Sequence, residues 1–266
     1  MSSNMEIMYL QKQHPHPNDA RIRFEEGPHL YYIDEVNENT SVTTLVHSFF
    51  QEFDADKVIK KMRKSSRWQN SPYFGMTDEE IKQIWEDRKI EASEAGTKMH
   101  YDIELFYNNI IPENDSLEWK YFQQFHQTQV LTKGLIPYRT EWVVFDLEYQ
   151  LAGSIDMIFQ VDKNDPDTLM IYDWKRCKKI EKTNSFQSGK PPIEHLPDSN
   201  YWHYALQLNM YRYILEKNYG KKITGLYLVC LHPLQKNYQQ ISVPFLDDEV
   251  QDILAIRKLA MCGMSI

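Results

Sequence analysis

An α/β (α+β) fold, with a central mixed sheet flanked by helices, is predicted by three features of the sequence. The first half carries helix caps and apolar periodicity over much of residues 41–133. Three consecutive runs rich in Val, Ile, Phe, Tyr and Trp follow, at residues 138–149, 151–161 and 168–175. Beyond them the pattern predicts a helix, two strands and a helix, at residues 200–219, 224–231, 238–243 and 247–260. Helices followed by strands and a further helix favour a mixed sheet with helices packed on it.

Short strands and a capped helix form the start of an N-terminal extension. Residues 22–34 predict two strands around a Gly-Pro turn, and Ser41, followed by Thr43, predicts the cap of a helix. The leader before them places His14 and His16 between prolines. We expect this leader to be flexible and polar, with metal binding as the less favoured alternative.

A basic segment follows in the same extension. Residues 54–67 begin with an Asp54 cap and contain six basic side chains: Lys57, Lys60, Lys61, Arg63, Lys64 and Arg67. Helical spacing puts much of this charge on one side of a helix. A solvated face explains the pattern when it is taken alone, and contact with phosphates is the functional alternative. A capping box at Thr77 then begins a long helix that reaches about Asn109, with Gly96 as a candidate break.

Composition limits the class of protein. The chain has 266 residues, 42% of them hydrophobic, so it is long enough for one large domain with a substantial core. Its formal net charge of -8 disfavours a protein that coats nucleic acid through overall basicity. Any contact with nucleic acid must therefore use a local basic patch, and a cleft rich in carboxylates must hold cations.

Three cysteines, Cys177, Cys230 and Cys262, are widely spaced and form no Cys-x-x-Cys pair. This pattern disfavours a disulfide framework, a zinc ribbon and a four-cysteine iron–sulfur cluster, and it favours reduced thiols. The sequence also lacks the apolar core of a signal peptide and any apolar run long enough to cross a bilayer. We therefore expect an intracellular protein with no membrane partner.

Two aspartates and a lysine fall on the hairpin predicted between residues 151 and 175. If its KNDPD turn is centred between the Asn and the first Asp, antiparallel pairing places Asp156 opposite Asp173, with Cβ atoms roughly 5 Å apart. Lys175, two residues beyond Asp173, then points to the same face. A different turn centre would remove this alignment.

Two carboxylates held so close raise each other's pKa, and a divalent cation removes the conflict. Oxygen ligands select hard ions such as Mg²⁺ or Mn²⁺, which polarise a phosphoryl oxygen and generate a hydroxide nucleophile. Lys175 can then neutralise charge in the transition state or orient the water. The alternative is a salt-bridged hairpin in which Lys175 pairs with Asp173. The apolar flanks SIDMIF and MIYDWK favour buried charges that need partners or a function, and spacing alone leaves both interpretations open.

Other residues are weaker candidates for the same site. His100 and Glu104 lie one turn apart on the long helix, where a histidine suits Mn²⁺ but is also common on helix surfaces. Glu141, in the segment RTEWVVF, is a further candidate acid. Gln207 and Tyr211 share one face of a later helix, where core packing is the commoner explanation.

Four segments in this order resemble the PD-(D/E)XK nuclease superfamily and, within it, the RecB-type branch. They are GTKMH at 96–100, GSID at 153–156, DWK at 173–175 and QLNMY at 207–211. They match that branch's Gly-x-x-x-His helix, Gly-x-x-Asp strand, Asp-x-Lys strand and Gln-x-x-x-Tyr helix. HLYYID and SVTTLV, earlier in the chain, are similar to the region before the core in mitochondrial genome maintenance exonucleases and in phage and large-virus nucleases.

The resemblance implies a restriction-endonuclease-like core at residues 96–245 within a single nuclease domain that spans the chain. Residues 1–95 would then be a strand and helical region able to form an arch over DNA, and residues 246–266 a C-terminal helix. A phage or viral origin is consistent with these relatives. The resemblance also implies Mg²⁺ or Mn²⁺ as cofactor, with no iron–sulfur cluster.

The resemblance further implies roles for individual residues. His100, Asp156 and Asp173 would bind metal with the backbone carbonyl of Trp174, and Lys175 would be the catalytic lysine. Glu141 is a further catalytic candidate. Candidates for nucleic-acid contact or support of the site are Gln207, Tyr211, Glu104, Ser41, Thr43, Lys57, Lys60, Lys61 and Arg176.

These observations predict a metal-dependent DNA exonuclease that prefers single-stranded ends. A single strand would suit the surplus of aromatic side chains, since bases stack on aromatic rings. The alternatives are an endonuclease of the same fold that acts on DNA or RNA, and a nucleic-acid-binding module without catalysis. The intact set of Asp156, Asp173 and Lys175 disfavours the second alternative.

Overall fold

The structure, a computed structural model, describes residues 8–25, 27–28, 30–37 and 39–263. Its chain groups into two compact units. One combines the residues up to Gln51 with those from Met99 onward, and the other comprises Glu52–Lys98. This grouping places the strands of the N-terminal extension with the core, whereas the expected boundary lay at residue 95. That the whole chain acts as one nuclease domain remains a prediction.

A six-stranded mixed sheet lies at the centre of the larger unit. Its strands are β3 Thr40–Ser41, β4 Ile136–Asp146, β5 Leu151–Asp162, β6 Asp165–Lys175, β7 Lys222–Cys230 and β8 Gln239–Val243. The order is β3-β5-β6-β7-β8, and β4 also pairs with β5. The β3–β5 and β6–β7 pairs are parallel and the others antiparallel. A separate hairpin is formed by β1 Ile22–Glu25 and β2 Leu30–Ile33.

Helices of the larger unit cover both faces of this sheet, which confirms the predicted fold class. The helices of the chain are α1 Tyr9–Gln13, α2 Val42–Ser48, α3 Ala55–Arg63, α4 Asp78–Tyr107, α5 Leu117–Phe125, α6 Asn200–Asn218 and α7 Asp247–Met261, and α3 belongs to the smaller unit. Apolar side chains of α2, α6 and α7 form one buried cluster with the sheet. The end of α4 and all of α5 form a second cluster on the side of Met157 and Trp174. The α4 helix continues through Gly96, so the candidate break there is absent.

An opening along one edge of β5 positions the site. The β4 strand pairs along one edge of β5, whereas β3 and β6 share the other. On that shared edge, β3 reaches only Ala152 and β6 begins to pair at Met157. In the part of the chain that the structure describes, residues 153–156 therefore have no strand partner on this edge. Beyond Tyr172, β6 leaves β5 but stays paired with β7 as far as Lys175.

The β5–β6 register agrees with the predicted hairpin, although its turn does not. The strands pair in the register that places Asp156 opposite Asp173. The turn lies one residue earlier than expected, because Asp162 pairs with Asp165. An irregularity after Gln160 absorbs the difference, because one residue of β5 there faces three residues of β6, and the pairing beyond it keeps the predicted register.

The smaller unit contains the basic helix and the capping box. The Asp54 side chain accepts a hydrogen bond from Lys57 N at 2.9 Å, which confirms the cap of α3. This helix ends at Arg63, earlier than the predicted end at residue 67. The Thr77 hydroxyl accepts from Glu80 N at 3.2 Å, and the Glu80 carboxylate accepts from Thr77 N at 2.7 Å. That reciprocal pair confirms the capping box that begins α4.

The N-terminal leader is folded over the residues described, so the expectation of a flexible polar leader is wrong there. The ring of His14 stacks on Tyr138 at 4.1 Å between centroids. Asp19 Oδ2 lies 2.8 Å from Arg139 Nη1, and Asp19 Oδ1 accepts from Trp142 Nε1 at 3.0 Å. The reason is that a buried arginine needs a charged partner, and the leader provides it. Residues 1–7 of the leader lie outside the described residues.

Candidate active site

Charged side chains from four elements converge where β5 and β6 separate. His100 comes from α4, Glu141 from β4 and Asp156 from β5, and one ligand atom of each lies within 4.8 Å of the other two. Asp173 and Lys175 project from the end of β6, and both interact electrostatically with Asp156. A long helix and three strands thus bring five titratable groups to the opening in the β5 edge.

The imidazole of His100 is held on both sides. Its Nε2 lies 2.9 Å from the carbonyl oxygen of Trp174, a hydrogen bond in which the ring nitrogen donates. Its Nδ1 lies 3.6 Å from Asp156 Oδ2 and 3.7 Å from Glu141 Oε1. Burial lowers the pKa of His100, but the carboxylates of Asp156 and Glu141 outweigh it and raise that pKa to about 9. The ring therefore serves as the positive partner of the two acids when no cation is bound.

Asp156 is a buried carboxylate with a fixed orientation. Its Oδ2 accepts a hydrogen bond from Trp174 N at 2.8 Å, which links β5 to β6 after their regular pairing has ended. Burial raises the pKa of Asp156, and the nearby Glu141 carboxylate raises it further, whereas His100 and Lys175 lower it. A carboxylate in this setting gains from a nearby cation because water solvates its charge poorly.

Asp173 and Lys175 form an ion pair beside Asp156. Lys175 Nζ lies 2.6 Å from Asp173 Oδ2, and the two side chains are 17% and 3% exposed. Burial, together with repulsion from Asp156, raises the pKa of Asp173 to about 6, although Lys175 opposes both. Burial lowers the pKa of the Lys175 ammonium, but Asp173 and Asp156 raise it above its usual value. Lys175 is therefore held fully charged at the site.

Glu141 occupies a strained position in β4. Its φ angle is 42°, in the left-handed region that non-glycine residues rarely adopt within a strand. Ser154 Oγ donates to its Oε2 at 2.9 Å. Strain of this kind amounts to about 1–3 kcal/mol and is commonest at functional sites. The structure thus brings Glu141 next to His100 in the candidate site, which the sequence gave only a weak reason to expect, and its catalytic role remains a prediction.

The packing of Tyr211 explains why a glycine precedes Asp156 by three residues. A Cβ added at Gly153 would lie 2.7 Å from Tyr211 Cε1 and 2.8 Å from its hydroxyl oxygen. Gln207 Nε2 donates to the Tyr211 hydroxyl at 3.3 Å. The second and fourth sequence motifs therefore meet physically, and Tyr211 supports the strand that carries Asp156.

Tyr204 also lies at the candidate site, although none of the sequence motifs contains it. Lys175 Nζ lies 4.8 Å from the centroid of its ring, a cation–π distance. Tyr204 lies three residues before Gln207 on α6, one helical turn away and so on the same face. Helical spacing from the Gln-x-x-x-Tyr motif was the signal that could have found it.

The chemistry of the donor set fits a divalent cation. Two carboxylates and an imidazole present ligand atoms within 4.8 Å of one another, and His100 and Lys175 are the positive groups that act on Asp156. Hard divalent cations prefer carboxylate oxygens and accept imidazole. Asp173 contacts Lys175 and lies outside this three-residue group, and the Trp174 carbonyl contacts His100. Their roles as ligands remain predictions.

Comparison with known proteins decides the family. A sequence profile described as the PD-(D/E)XK nuclease superfamily matches residues 29–260. The chain belongs to the PD-(D/E)XK nuclease superfamily. The match spans most of the chain and confirms the superfamily resemblance drawn from the motifs. This PD-(D/E)XK protein is therefore a nuclease, a hydrolase of phosphodiester bonds in nucleic acid, and nucleases of its superfamily use divalent metal ions.

Two solved structures resemble this PD-(D/E)XK nuclease at low identity. One is the protein called SSO0001, with 12% identity and a TM-score of 0.33 over 98% of this chain and 86% of the other. The second is a candidate exonuclease from Eubacterium rectale, with 10% identity and a TM-score of 0.37 over 85% of this chain and 79% of the other. Both TM-scores are below 0.5, so the family assignment rests on the profile match. No curated protein matches the sequence.

Several predicted site residues of the PD-(D/E)XK nuclease have other contacts. Ser41 Oγ caps α2 by accepting from Thr44 N at 2.9 Å, and Thr43 is half-buried on the same helix. Arg176 Nε lies 2.8 Å from Glu118 Oε1, and both side chains are largely buried. Glu104 is half-buried one turn beyond the site histidine and lies outside the three-residue group.

The basic helix of the PD-(D/E)XK nuclease is solvent-exposed. Lys57, Lys60 and Lys61 are all exposed on α3. Lys57 Nζ lies 3.0 Å from the capping Asp54 carboxylate, and this is a weak surface pair. Their contact with nucleic acid remains a prediction.

Among the residues that the structure describes, no helix has both the length and the apolar character needed to cross a bilayer.

Proposed function

We propose that this protein is a Mg²⁺- or Mn²⁺-dependent exonuclease of the RecB-type branch, acting on DNA with a preference for single-stranded ends. The observation that carries the proposal is the convergence of His100, Glu141 and Asp156 on one point, next to the Asp173–Lys175 ion pair. That set combines cation ligands with a fixed positive charge, the combination that phosphodiester hydrolysis requires.

Different residues of the site are proposed to bind the cation and to stabilise the transition state. His100, Glu141 and Asp156 would hold the cation, with Asp173 and the Trp174 carbonyl as further candidates for its coordination. When bound, a divalent cation polarises a phosphoryl oxygen and lowers the pKa of water.

Lys175 supplies a positive charge next to the negatively charged side chains that would bind the metal ion. Asp173 and Asp156 keep its ammonium protonated, so it can donate to a non-bridging phosphate oxygen as negative charge develops there. The Tyr204 ring restricts the path of its side chain. We therefore assign Lys175 to stabilisation of the transition state.

Contacts with DNA are proposed for the smaller unit. The exposed lysines of α3 form a local basic patch in an acidic protein, as phosphate binding requires. The same unit exposes Phe53 and Phe74, at 72% and 55%. Exposed aromatic rings near basic side chains suit the unpaired bases of a single strand.

The test compares linear with circular single-stranded DNA. The two substrates have the same sequence and length, and the linear one carries a label at either end in separate reactions. The proposal expects cleavage of the linear strand with Mg²⁺ or Mn²⁺, mononucleotides or short products from one end, and an intact circle. EDTA should abolish all cleavage.

Other outcomes select among the alternatives. Cleavage of the circle would show an endonuclease, and faster cleavage of an RNA strand of the same sequence would change the substrate class. Retention of the labelled strand in a binding assay without any product, at every metal concentration, would favour a nucleic-acid-binding module. Cleavage in EDTA would contradict the metal-dependent mechanism.

A further inference from the structure

Two of the three cysteines lie side by side at the ends of neighbouring strands. Cys177 follows the last residue of β6 by two positions, and Cys230 is the last residue of β7. Their Sγ atoms are 3.2 Å apart. The parallel register pairs Lys175 with Cys230, which brings together thiols that are far apart in sequence. Both are free thiols in the structure.

The surroundings hold the two sulfur atoms in place. Cys230 Sγ donates to the carbonyl oxygen of Cys177 at 2.9 Å. Gln235 Nε2 lies 3.0 Å from Cys230 Sγ and 3.3 Å from the Cys177 carbonyl oxygen. Leu231 N donates to the Lys175 carbonyl at 2.9 Å, so the chain on either side of the pair is fixed by backbone contacts.

A metal site explains this pair less well than a covalent bond does. Among the residues that the structure describes, no third histidine, cysteine or carboxylate lies close enough to complete a three-ligand group with the two thiols. A disulfide, in contrast, needs only two sulfurs that can approach to about 2.05 Å. The observed separation requires a closure of about one ångström, within reach of side-chain rotation at a strand end.

We propose that Cys177 and Cys230 are a redox site that forms a reversible intramolecular disulfide when a hydroperoxide oxidises the protein. Cys177 is half-buried and so the more accessible thiol, whereas the hydrogen bond from Cys177 lowers the pKa of the fully buried Cys230 to about 7. Either sulfur can therefore react first, and the same disulfide results. The bond joins the chain that follows Lys175 to the end of β7. It therefore fastens the strand end that carries the active-site lysine.

The chemistry balances in two steps. The sulfur of one cysteine gives an electron pair to one oxygen of hydrogen peroxide, the O–O bond breaks, and water leaves with the thiol proton, which yields a sulfenic acid. The sulfur of the other cysteine then attacks the sulfenic sulfur, the S–O bond breaks, and a second water leaves with the proton of the attacking thiol. A thiol reductant returns both cysteines to the starting state by exchange.

The test follows the thiols in full-length protein that carries Cys262→Ser, which removes the exposed third thiol. The protein is treated with hydrogen peroxide, the remaining thiols are alkylated, and the peptides are identified by mass spectrometry. We expect the peptides with Cys177 and Cys230 to be recovered as one cross-linked species, lighter by two hydrogen atoms and separated by dithiothreitol. The melting temperature should rise by several degrees, because the bond restricts the unfolded chain.

Two matched variants keep the result interpretable. Cys177→Ser and Cys230→Ala, each in the same background, should show no cross-link and no rise in melting temperature on oxidation. The proposal is overturned if both thiols of the parent are alkylated after peroxide treatment, or if Cys177 proceeds to sulfinic acid without a cross-link. It is equally overturned if the only cross-link joins two molecules. None of these readouts depends on nuclease activity.

Discussion

The larger compact unit contains a buried lysine at the candidate active site, whereas the smaller unit contains exposed lysines on its surface. This difference in burial predicts a role in catalysis for the first and a role in DNA binding for the others. The side chain of Lys175, in the larger unit, is 17% exposed and lies 2.6 Å from a buried carboxylate. That of Lys57, on α3 of the smaller unit, is 85% exposed and pairs with the Asp54 carboxylate that caps the helix. A charge away from water acts strongly over short distances, whereas an exposed charge is screened by salt. We therefore expect the buried lysine to control the rate and the exposed ones to control affinity.

The largest expected effect is the loss of turnover in Lys175→Ala. Removal of a positioned cation from developing charge reduces the rate by on the order of a hundredfold or more. Single-turnover cleavage of a labelled single strand measures it, and Lys178→Ala, an exposed neighbour, is the matched control. DNA affinity should be unchanged. A variant that melts earlier but cleaves normally would mean that Lys175 is only the structural partner of Asp173.

His100→Ala tests whether the helix supplies a cation ligand. Loss of the ring removes one of the three candidate donor groups, so Mn²⁺ affinity should fall by roughly a hundredfold. The readout is the rise in melting temperature with added Mn²⁺, since a ligand that binds only the folded state stabilises it. His195→Ala, an exposed histidine of the same unit, is the control. An undiminished Mn²⁺ effect in His100→Ala would remove His100 from the metal site.

A smaller effect, on stability, is expected where Tyr211 packs against Gly153 on the strand that carries Asp156. Gly153→Ala places a Cβ within 2.7 Å of the Tyr211 ring, and overpacking of this kind destabilises by about 1–3 kcal/mol. Chemical denaturation measures the free energy of unfolding. Adding Tyr211→Leu should recover part of the loss by removing the ring. Full stability of the single variant would show that Tyr211 does not constrain the Asp156 strand.

The smallest expected effect lies in the exposed helix. Lys60→Glu combined with Lys61→Glu should weaken single-strand binding by roughly tenfold and reduce the salt dependence by about two counterions. Cleavage at saturating DNA should be unchanged. The control is Lys163→Glu with Lys222→Glu, the same charge change at the opposite ends of the strands from the site. Equal affinity of the two double variants would leave α3 as a solvated surface.

The sequence predicted the features that depend on residues close together in the chain. Local patterns were sufficient for the caps at Asp54 and Thr77, because each depends on residues three positions away. The opposition of Asp156 and Asp173 was also predictable, since alternation and one short turn define a hairpin register. The turn itself was misplaced by one residue, and the bulge that corrects it has no local signal.

Features that depend on tertiary packing were beyond the sequence alone. The four ordered motifs predicted that His100 lies near Asp156, but this prediction depended on the resemblance to a known family and not on the local pattern of residues. The approach of Cys177 to Cys230 arises from the pairing of β6 with β7, which local periodicity does not contain, and the left-handed backbone of Glu141 has no local sequence signal either. The leader likewise folds because a buried arginine, distant in sequence, needs Asp19.

The central claim, that this cluster binds the cation on which cleavage depends, is tested most directly with Asp156→Asn. This change keeps the shape of the side chain but removes the charge that faces His100 and Lys175. Mn²⁺ binding by calorimetry and single-turnover cleavage are measured together on the wild type and the variant. We expect the folded variant to lose both, and the wild-type protein to lose cleavage in EDTA and regain it when Mn²⁺ is restored. Wild-type cleavage by Asp156→Asn, or undiminished cleavage in EDTA, would contradict it.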